Sequence, residues 1–354
     1  GSVAHLASAL NELASHNHGV VVTNPPVSHE HVFQSDVENL TELKAQVLTH
    51  PVDRSWWITS YSHLVKQSSQ SHSFDASGEI GGFDIESAEE HDSGVDAGVE
   101  PTIFTFPRGA HPGTFLHSLF EEIEFTQPIE SEETQQIMVE LMEREQIDPI
   151  WLPVLNDLLV QVLSTPLDGD SLTLRHLPAE QRMVELEFLL PIQVLDSLTL
   201  NRITHRYDSL SAQAGDLGFS RVRGMLKGFI DLIFEYQGRF YILDWKSNHL
   251  GDKPSDYHPQ QLKRAMVEHR YDLQYQIYAL ALHRFLRGRI ANYDYERHFG
   301  GVYYLFVRGM DGKTANGVLA TRPERAMIDA LDQLIDGKPI HLSNPKASQL
   351  ELDL

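Results

Sequence analysis

Gly228-Phe229-Ile230-Asp231 and Asp244-Trp245-Lys246 are the two stretches on which the reading of this chain turns. Asp231 is embedded among Phe229, Ile230, Leu232 and Ile233, and Asp244 ends the apolar run Phe240-Tyr241-Ile242-Leu243. The runs Arg223 to Tyr236 and Arg239 to Lys246 are β-rich and flank Gln237-Gly238, which predicts a hairpin. Residues two apart in a strand share a face, so Asp244 and Lys246 project together, and the hairpin can bring Asp231 beside them. Charges set in apolar strands are costly unless paired or bound to metal. Oxygen ligands of this kind suit Mg²⁺, which keeps several waters and takes few carboxylates. Such an ion stabilises charge on a phosphate and lowers the pKa of a bound water. A lysine beside it can orient that water or neutralise the transition state. On its own, the pattern is more commonly that of an Asp–Lys ion pair buried in a sheet, since the tripeptide is frequent.

Upstream, His111 to Phe125 has apolar residues at helical spacing with Pro112 in the first turn. Two further helices are expected at about 131–145 and 149–164, and Glu185 to Leu190 reads as a strand. Downstream, residues 255–289 read as helix in two pieces, 300–307 as a buried strand and 323–335 as a closing helix. These elements predict an α/β fold. Nearer the start, Leu6 to Leu13 reads as a short helix and Trp56 to Ser62 as a strand leading into a turn. Residues 67–100 hold nine acidic residues and no Lys or Arg, a composition expected of a flexible linker. The expected division is a connector at 1–66, the acidic linker at 67–100 and a compact domain at 101–354. The opening Gly1-Ser2, with no initiator Met, is expected of a piece of a longer protein.

The net charge of −22 opposes phosphate binding when averaged over the chain. From Arg202 to Arg308, however, 16 basic residues face 11 acidic ones, an excess of five, so the charge is unevenly placed. The chain contains no cysteine, which excludes disulfides, thiolate zinc sites and iron–sulfur clusters and is compatible with a reducing cytoplasm. No apolar run is long enough for a membrane span, and no Walker A motif is present, so ATP hydrolysis is not expected.

With Ser247-Asn248 added, the two central stretches read G-x-x-D and D-x-K-[ST]-N, and Gln274 and Tyr278 read Q-x-x-x-Y. Gly113-Thr114-Phe115-Leu116-His117 reads G-T-x-x-H. In their order along the chain, from His117 to Tyr278 and within a match of roughly residues 55–340, the four motifs closely resemble the RecB-type nuclease family, within the PD-(D/E)xK class. Trp57 to Ser62 resembles the segment that joins helicase to nuclease there. A bacterial cytoplasm is the location that the resemblance implies. The resemblance implies a restriction-endonuclease-like core, a mixed central sheet flanked by helices, behind an amino-terminal linker region. It implies a metal site of His117, Asp231, Asp244 and the Trp245 carbonyl, with Lys246 as the catalytic lysine. Glu185, in E-x-x-F, is a further ligand, with Glu187 the alternative. Mg²⁺ is the implied cofactor and Ca²⁺ the non-catalytic occupant. Gln274 and Tyr278, one helical turn apart and both able to face a cleft, would contact DNA or support the site. Arg223 and Lys227 are candidate phosphate contacts. The implied activity is cleavage of single-stranded DNA ends during double-strand-break repair, together with RecC and RecD subunits and with RecA docking. The alternatives are a RecA-docking module with weak cleavage, or another PD-(D/E)xK nuclease; the kind carrying a four-cysteine cluster is excluded.

Overall fold

In the computed structural model, residues 3–16, 21–23, 56–69 and 100–340 are described. The chain divides into two units, Gly1–Val52 and Asp53–Leu354. The first carries helix α1 (Val3–His16), which contains the helix expected at Leu6–Leu13. All other described elements belong to the second. They run β1 (Trp57–Thr59), α2 (Tyr61–Ser69), α3 (Ala110–Glu122), α4 (Glu132–Arg144), α5 (Leu152–Ser164), β2 (Arg182–Leu195), α6 (Ser197–Tyr207), α7 (Ser209–Ala214), β3 (Val222–Tyr236) and β4 (Arg239–Lys246). Then follow α8 (Pro259–Glu268), α9 (Tyr271–Arg287), α10 (Tyr295–His298), β5 (Phe299–Phe306), β6 (Val318–Thr321) and α11 (Arg325–Ile335).

The expected hairpin is β3–β4. Its turn residues Gln237 and Gly238 both have positive φ, 52° and 75°, the twist that a two-residue hairpin turn requires. Local chemistry starts the helices as well. Ser131 accepts the Thr134 N–H at 3.3 Å to cap α4, whose first turn holds Glu132 and Glu133 and whose last holds Arg144. Asp196 caps α6 through the Thr199 N–H at 2.9 Å. The reading of the chain did not anticipate α6, nor the short elements α7, α10 and β6, nor the continuation of 56–62 into helix α2.

The sheet is mixed. Its order is β1-β3-β4-β5-β6, with β2 also paired to β3. β1 runs parallel to β3 and β4 parallel to β5, while β2–β3, β3–β4 and β5–β6 are antiparallel. One apolar layer packs α2, α6, α8, α9 and α11 on one face, and another packs α3, α4 and α5 on the other. A sheet clothed on both faces matches the near-continuous apolar character of β4 and β5. Two boundaries differ from the expectation. β1, placed by sequence in the connector, is a strand of this sheet, and residues 67–69 end helix α2. The rest of the expected linker, 70–99, lies outside the described residues, as does most of the expected connector.

Candidate active site at a fork between strands

β2 follows one edge of β3 for most of its length. The opposite edge is shared: β4 pairs from Leu232↔Leu243 to Tyr236↔Arg239, and β1 from Trp57↔Gly224 to Thr59↔Leu226. Residues 227–231 of β3 lie between, and Asp231 stands where β3 and β4 part. Its Oδ2 accepts the Trp245 N–H at 2.9 Å, so a side-chain oxygen continues the ladder where the backbone no longer does. The strand also turns over at this point. Leu226 and Ile230 pack under α9, whereas Leu232 and Phe234, of the same parity, pack toward α3. Opposite Asp231, Glu185 takes φ 50° and drops out of the register between Val184↔Leu232 and Leu186↔Ile230.

Asp244 and Lys246 project from the last residues of β4 into the α9 side of the sheet, 1% and 2% exposed. The Lys246 ammonium is 2.7 Å from Asp244 Oδ2. Both the charge of that ammonium and its hydrogen-bonding capacity favour the ionised carboxylate. Burial pushes the Asp244 carboxyl up to about 7; Lys246 pulls the other way and the Asp231 carboxylate adds to the rise. Two carboxylates near one ammonium, buried from water, form a donor set whose chemistry can suit a cation.

His117 reaches the fork from the opposite layer. Its helix α3 is fixed on β4 by Phe120, which stacks on the Trp245 ring with centroids 4.1 Å apart, and Phe125 meets the same ring edge-on. Such a pair adds roughly 0.5–1.5 kcal/mol beyond area burial. One turn away, His117 Nδ1 then lies 3.3 Å from Asp231 Oδ2. The structure thus gathers His117, Asp231, Asp244 and Lys246 from three separate stretches of sequence. Among the described residues, no three His, Asp or Glu side chains form a preformed ligand set. Here His117 faces Asp231, Asp231 accepts from Trp245 and Asp244 pairs with Lys246.

Glu185 is exposed, and the group it influences is Glu121, next to the site on α3. Glu121 was missed, although its position four residues after His117 puts both on one helix face. Burial, then Glu185, then Glu122 push its carboxyl up to about 7. A folded-state value above the usual 4.5 means the folded state holds this proton more tightly. The charged form therefore weakens the fold increasingly as pH rises from about 4.5 to about 7, and fully above that. Glu121→Gln, in EDTA, is expected to raise the urea midpoint relative to wild type more at pH 8 than at pH 4.5. Equal differences at the two pH values would refute this.

Glu187 is paired with Lys227 at 3.0 Å, and Lys227 also lies over the Phe229 ring at 5.0 Å. Arg223 is exposed near β1. Gln274 and Tyr278, expected to contact DNA or support the site, are 0% and 3% exposed, inside the α9 layer. Gln274 Nε2 donates to Tyr278 OH at 3.1 Å, and Tyr304 OH donates to Gln274 Oε1 at 2.8 Å. Both side chains are taken up within the layer. The reason is that α9 is buried around its whole circumference. A second missed residue is Arg308, 1% exposed. It donates to the carbonyls of Ser247, Ile103, Phe106 and Pro107 at 2.7, 2.7, 2.9 and 2.7 Å. It thereby ties the end of β4 to the segment that leads into α3.

A model of the PD-(D/E)XK nuclease superfamily matches residues 95–347. The chain belongs to that superfamily. It carries a nuclease domain, and PD-(D/E)XK nucleases are generally divalent-metal dependent. Among curated proteins it is 44% identical over 310 residues to the RecBCD enzyme subunit RecB of Escherichia coli, covering 86% of this chain and 25% of that protein. With the subunit of the same name from Haemophilus influenzae it shares 33% over 301 residues, covering 82% of this chain and 24% of the relative. For Mycobacterium tuberculosis RecB the figures are 32% over 324 residues, with 80% and 29% covered. The chain thus spans about a quarter of the length of these relatives. No helix among the described residues is long and apolar enough to cross a membrane.

Proposed function

We propose that this chain is the nuclease domain of a RecBCD-type helicase–nuclease, hydrolysing phosphodiester bonds of single-stranded DNA ends in recombinational repair. The observation that carries the reading is the meeting of His117, Asp231, Asp244 and Lys246 at the strand fork. The Asp231 and Asp244 carboxylates and the His117 imidazole hold Mg²⁺, with the Trp245 carbonyl a further donor. When bound, the ion supplies charge stabilisation at the scissile phosphate and a water of lowered pKa. Lys246, charged beside Asp244, directs its ammonium at the attacking water or at a non-bridging phosphate oxygen. Lys227 and Arg223, on β3 beyond the fork, meet the DNA backbone, and Glu185 acts from the rim through Glu121. Ca²⁺ occupies the same donors without supporting cleavage. The partners of the longer protein are RecC and RecD subunits, with RecA docking on this domain, in a bacterial cytoplasm.

The test is degradation of end-labelled single-stranded DNA by this chain. Mg²⁺ is expected to support cleavage, while EDTA abolishes it and Ca²⁺ gives binding alone. Absence of cleavage with every divalent ion tried, or full cleavage in EDTA, would sink the proposal.

A further inference from the structure

Lys246 needs more than Asp244 to hold it in place. A lysine side chain is a point charge on a flexible stem, and once Asp244 engages a cation the carboxylate is shared. Two aromatic rings supply a further hold. The Lys246 ammonium lies 4.0 Å from the ring centroid of Tyr271 and 5.5 Å from that of Tyr304. Both distances are inside the range in which a ring face attracts a cation, and the attraction grows when the pair is removed from water, as here. The two rings are stacked, 5.8 Å apart with 26° between their planes.

Each ring is itself fixed. Tyr304 OH donates to Gln274 Oε1, and the Gln274 amide in turn donates to Tyr278 OH. Tyr271 OH donates to Asn248 Oδ1 at 3.3 Å, and its ring stacks on His269 with centroids 5.3 Å apart. The Q-x-x-x-Y pair, buried within the layer, thus has a route to the chemistry through the ring of Tyr304.

We infer that Tyr271 and Tyr304 are positioning residues that seat the Lys246 ammonium on their ring faces, with Gln274 orienting Tyr304. The inference rests on Lys246 being the catalytic lysine of the proposed nuclease. The face of each ring makes the contact, while the hydroxyl only steers the ring. A phenyl group at 271 therefore preserves the seat, and an aliphatic side chain destroys it.

The experiment measures Mg²⁺-supported cleavage of single-stranded DNA by wild type, Tyr271→Leu, Tyr271→Met, Tyr271→Phe, Tyr304→Leu and Lys246→Ala, separating kcat from KM. A desolvated cation–π contact corresponds to roughly a 30-fold effect, so Tyr271→Leu and Tyr271→Met are expected to lose about that much in kcat. KM should stay within about 3-fold, because ground-state binding is untouched. Tyr271→Phe should rescue most of the loss.

A second readout is independent of turnover. In ¹³Cε-lysine-labelled protein, the Lys246 ε-methylene signal, assigned by its disappearance in Lys246→Arg, should be shifted upfield by the rings. It should return to the ordinary lysine position in the Leu and Met variants and stay shifted in Tyr271→Phe. The other lysine signals, unmoved, would show that each variant is folded. If Tyr304→Leu does not fold, the Tyr271 series still decides. Folded Tyr271→Leu and Tyr271→Met proteins with wild-type kcat, or with the Lys246 signal unmoved, would overturn the seat. A failure of the nuclease reading looks different: wild type without cleavage, or Lys246→Ala as active as wild type, whatever the lysine signal does.

Discussion

Asp244→Asn is expected to reduce Mg²⁺-dependent DNA cleavage by about 10³-fold while leaving the protein folded, the loss typical of removing one preorganised group that stabilises transition-state charge. That factor corresponds to about 4 kcal/mol in the barrier. Asparagine keeps the volume of the buried carboxylate and removes only its charge. The stability effects oppose one another: Lys246 loses its counter-charge, but Asp231 loses a like charge that already raises the Asp244 pKa. The rings of Tyr271 and Tyr304 remain over the ammonium. Calorimetry with Ca²⁺ on the same variant should show weakened binding of the ion. Cleavage within 10-fold of wild type would remove Asp244 from the site. A variant that does not fold would instead make the Asp–Lys pair a structural one.

The largest effect on stability is expected at Arg308. Its guanidinium answers four main-chain carbonyls from two distant segments. Arg308→Met fills much of the space and leaves those acceptors buried without these donors. Each orphaned acceptor costs on the order of 1–3 kcal/mol, softened where the backbone relaxes. A total near 5 kcal/mol, in the exceptional range for one substitution, should lower Tm by roughly 10–20 °C. Arg308→Lys, with three donors on a shorter head, should recover part of the loss. Because the tie joins Ser247 to the segment entering α3, folded Arg308→Lys should also hold His117 less firmly and bind Ca²⁺ less tightly. A Met variant melting within 2–3 °C of wild type, a difference worth about 1 kcal/mol, would refute the assignment.

How much of this was legible beforehand depends on the range over which each feature is determined. Asp231, Asp244 and Lys246 could be read because charge in apolar strands is conspicuous and a hairpin joins them locally. The turn at Gln237-Gly238 announced itself in the same way. His117 became a candidate only through its motif, since the Phe120–Trp245 stack that delivers it to Asp231 spans more than a hundred residues of sequence. Glu121 could have been found from its helical spacing to His117. For Gln274 and Tyr278 the spacing gave a shared face and left DNA contact and support of the site both open, because spacing does not say whether a helix has an exposed face at all. The aromatic and apolar residues on every side of α9 were the available signal. Arg308 had none: an arginine after an apolar strand reads as surface, and carbonyl partners about 200 positions earlier leave no trace in side-chain pattern. The turnover of β3 at Asp231 is likewise set by three neighbouring strands at once.

β1 has a consequence of another kind. It is laid parallel to β3 so closely that a Cβ on Gly224, at φ +139°, would stand 1.8 Å from the Trp57 carbonyl oxygen. The helix after it buries Leu64 in the main apolar layer. Yet β1 and α2 belong to the chain before residue 70. A protease cut between residues 70 and 99 would turn them from part of the fold into its ligand, a peptide held by backbone pairing and a few apolar side chains. Stability would then depend on protein concentration, as in any bimolecular complex. In the intact chain the covalent link keeps the pairing unimolecular, so the same contacts hold at any dilution.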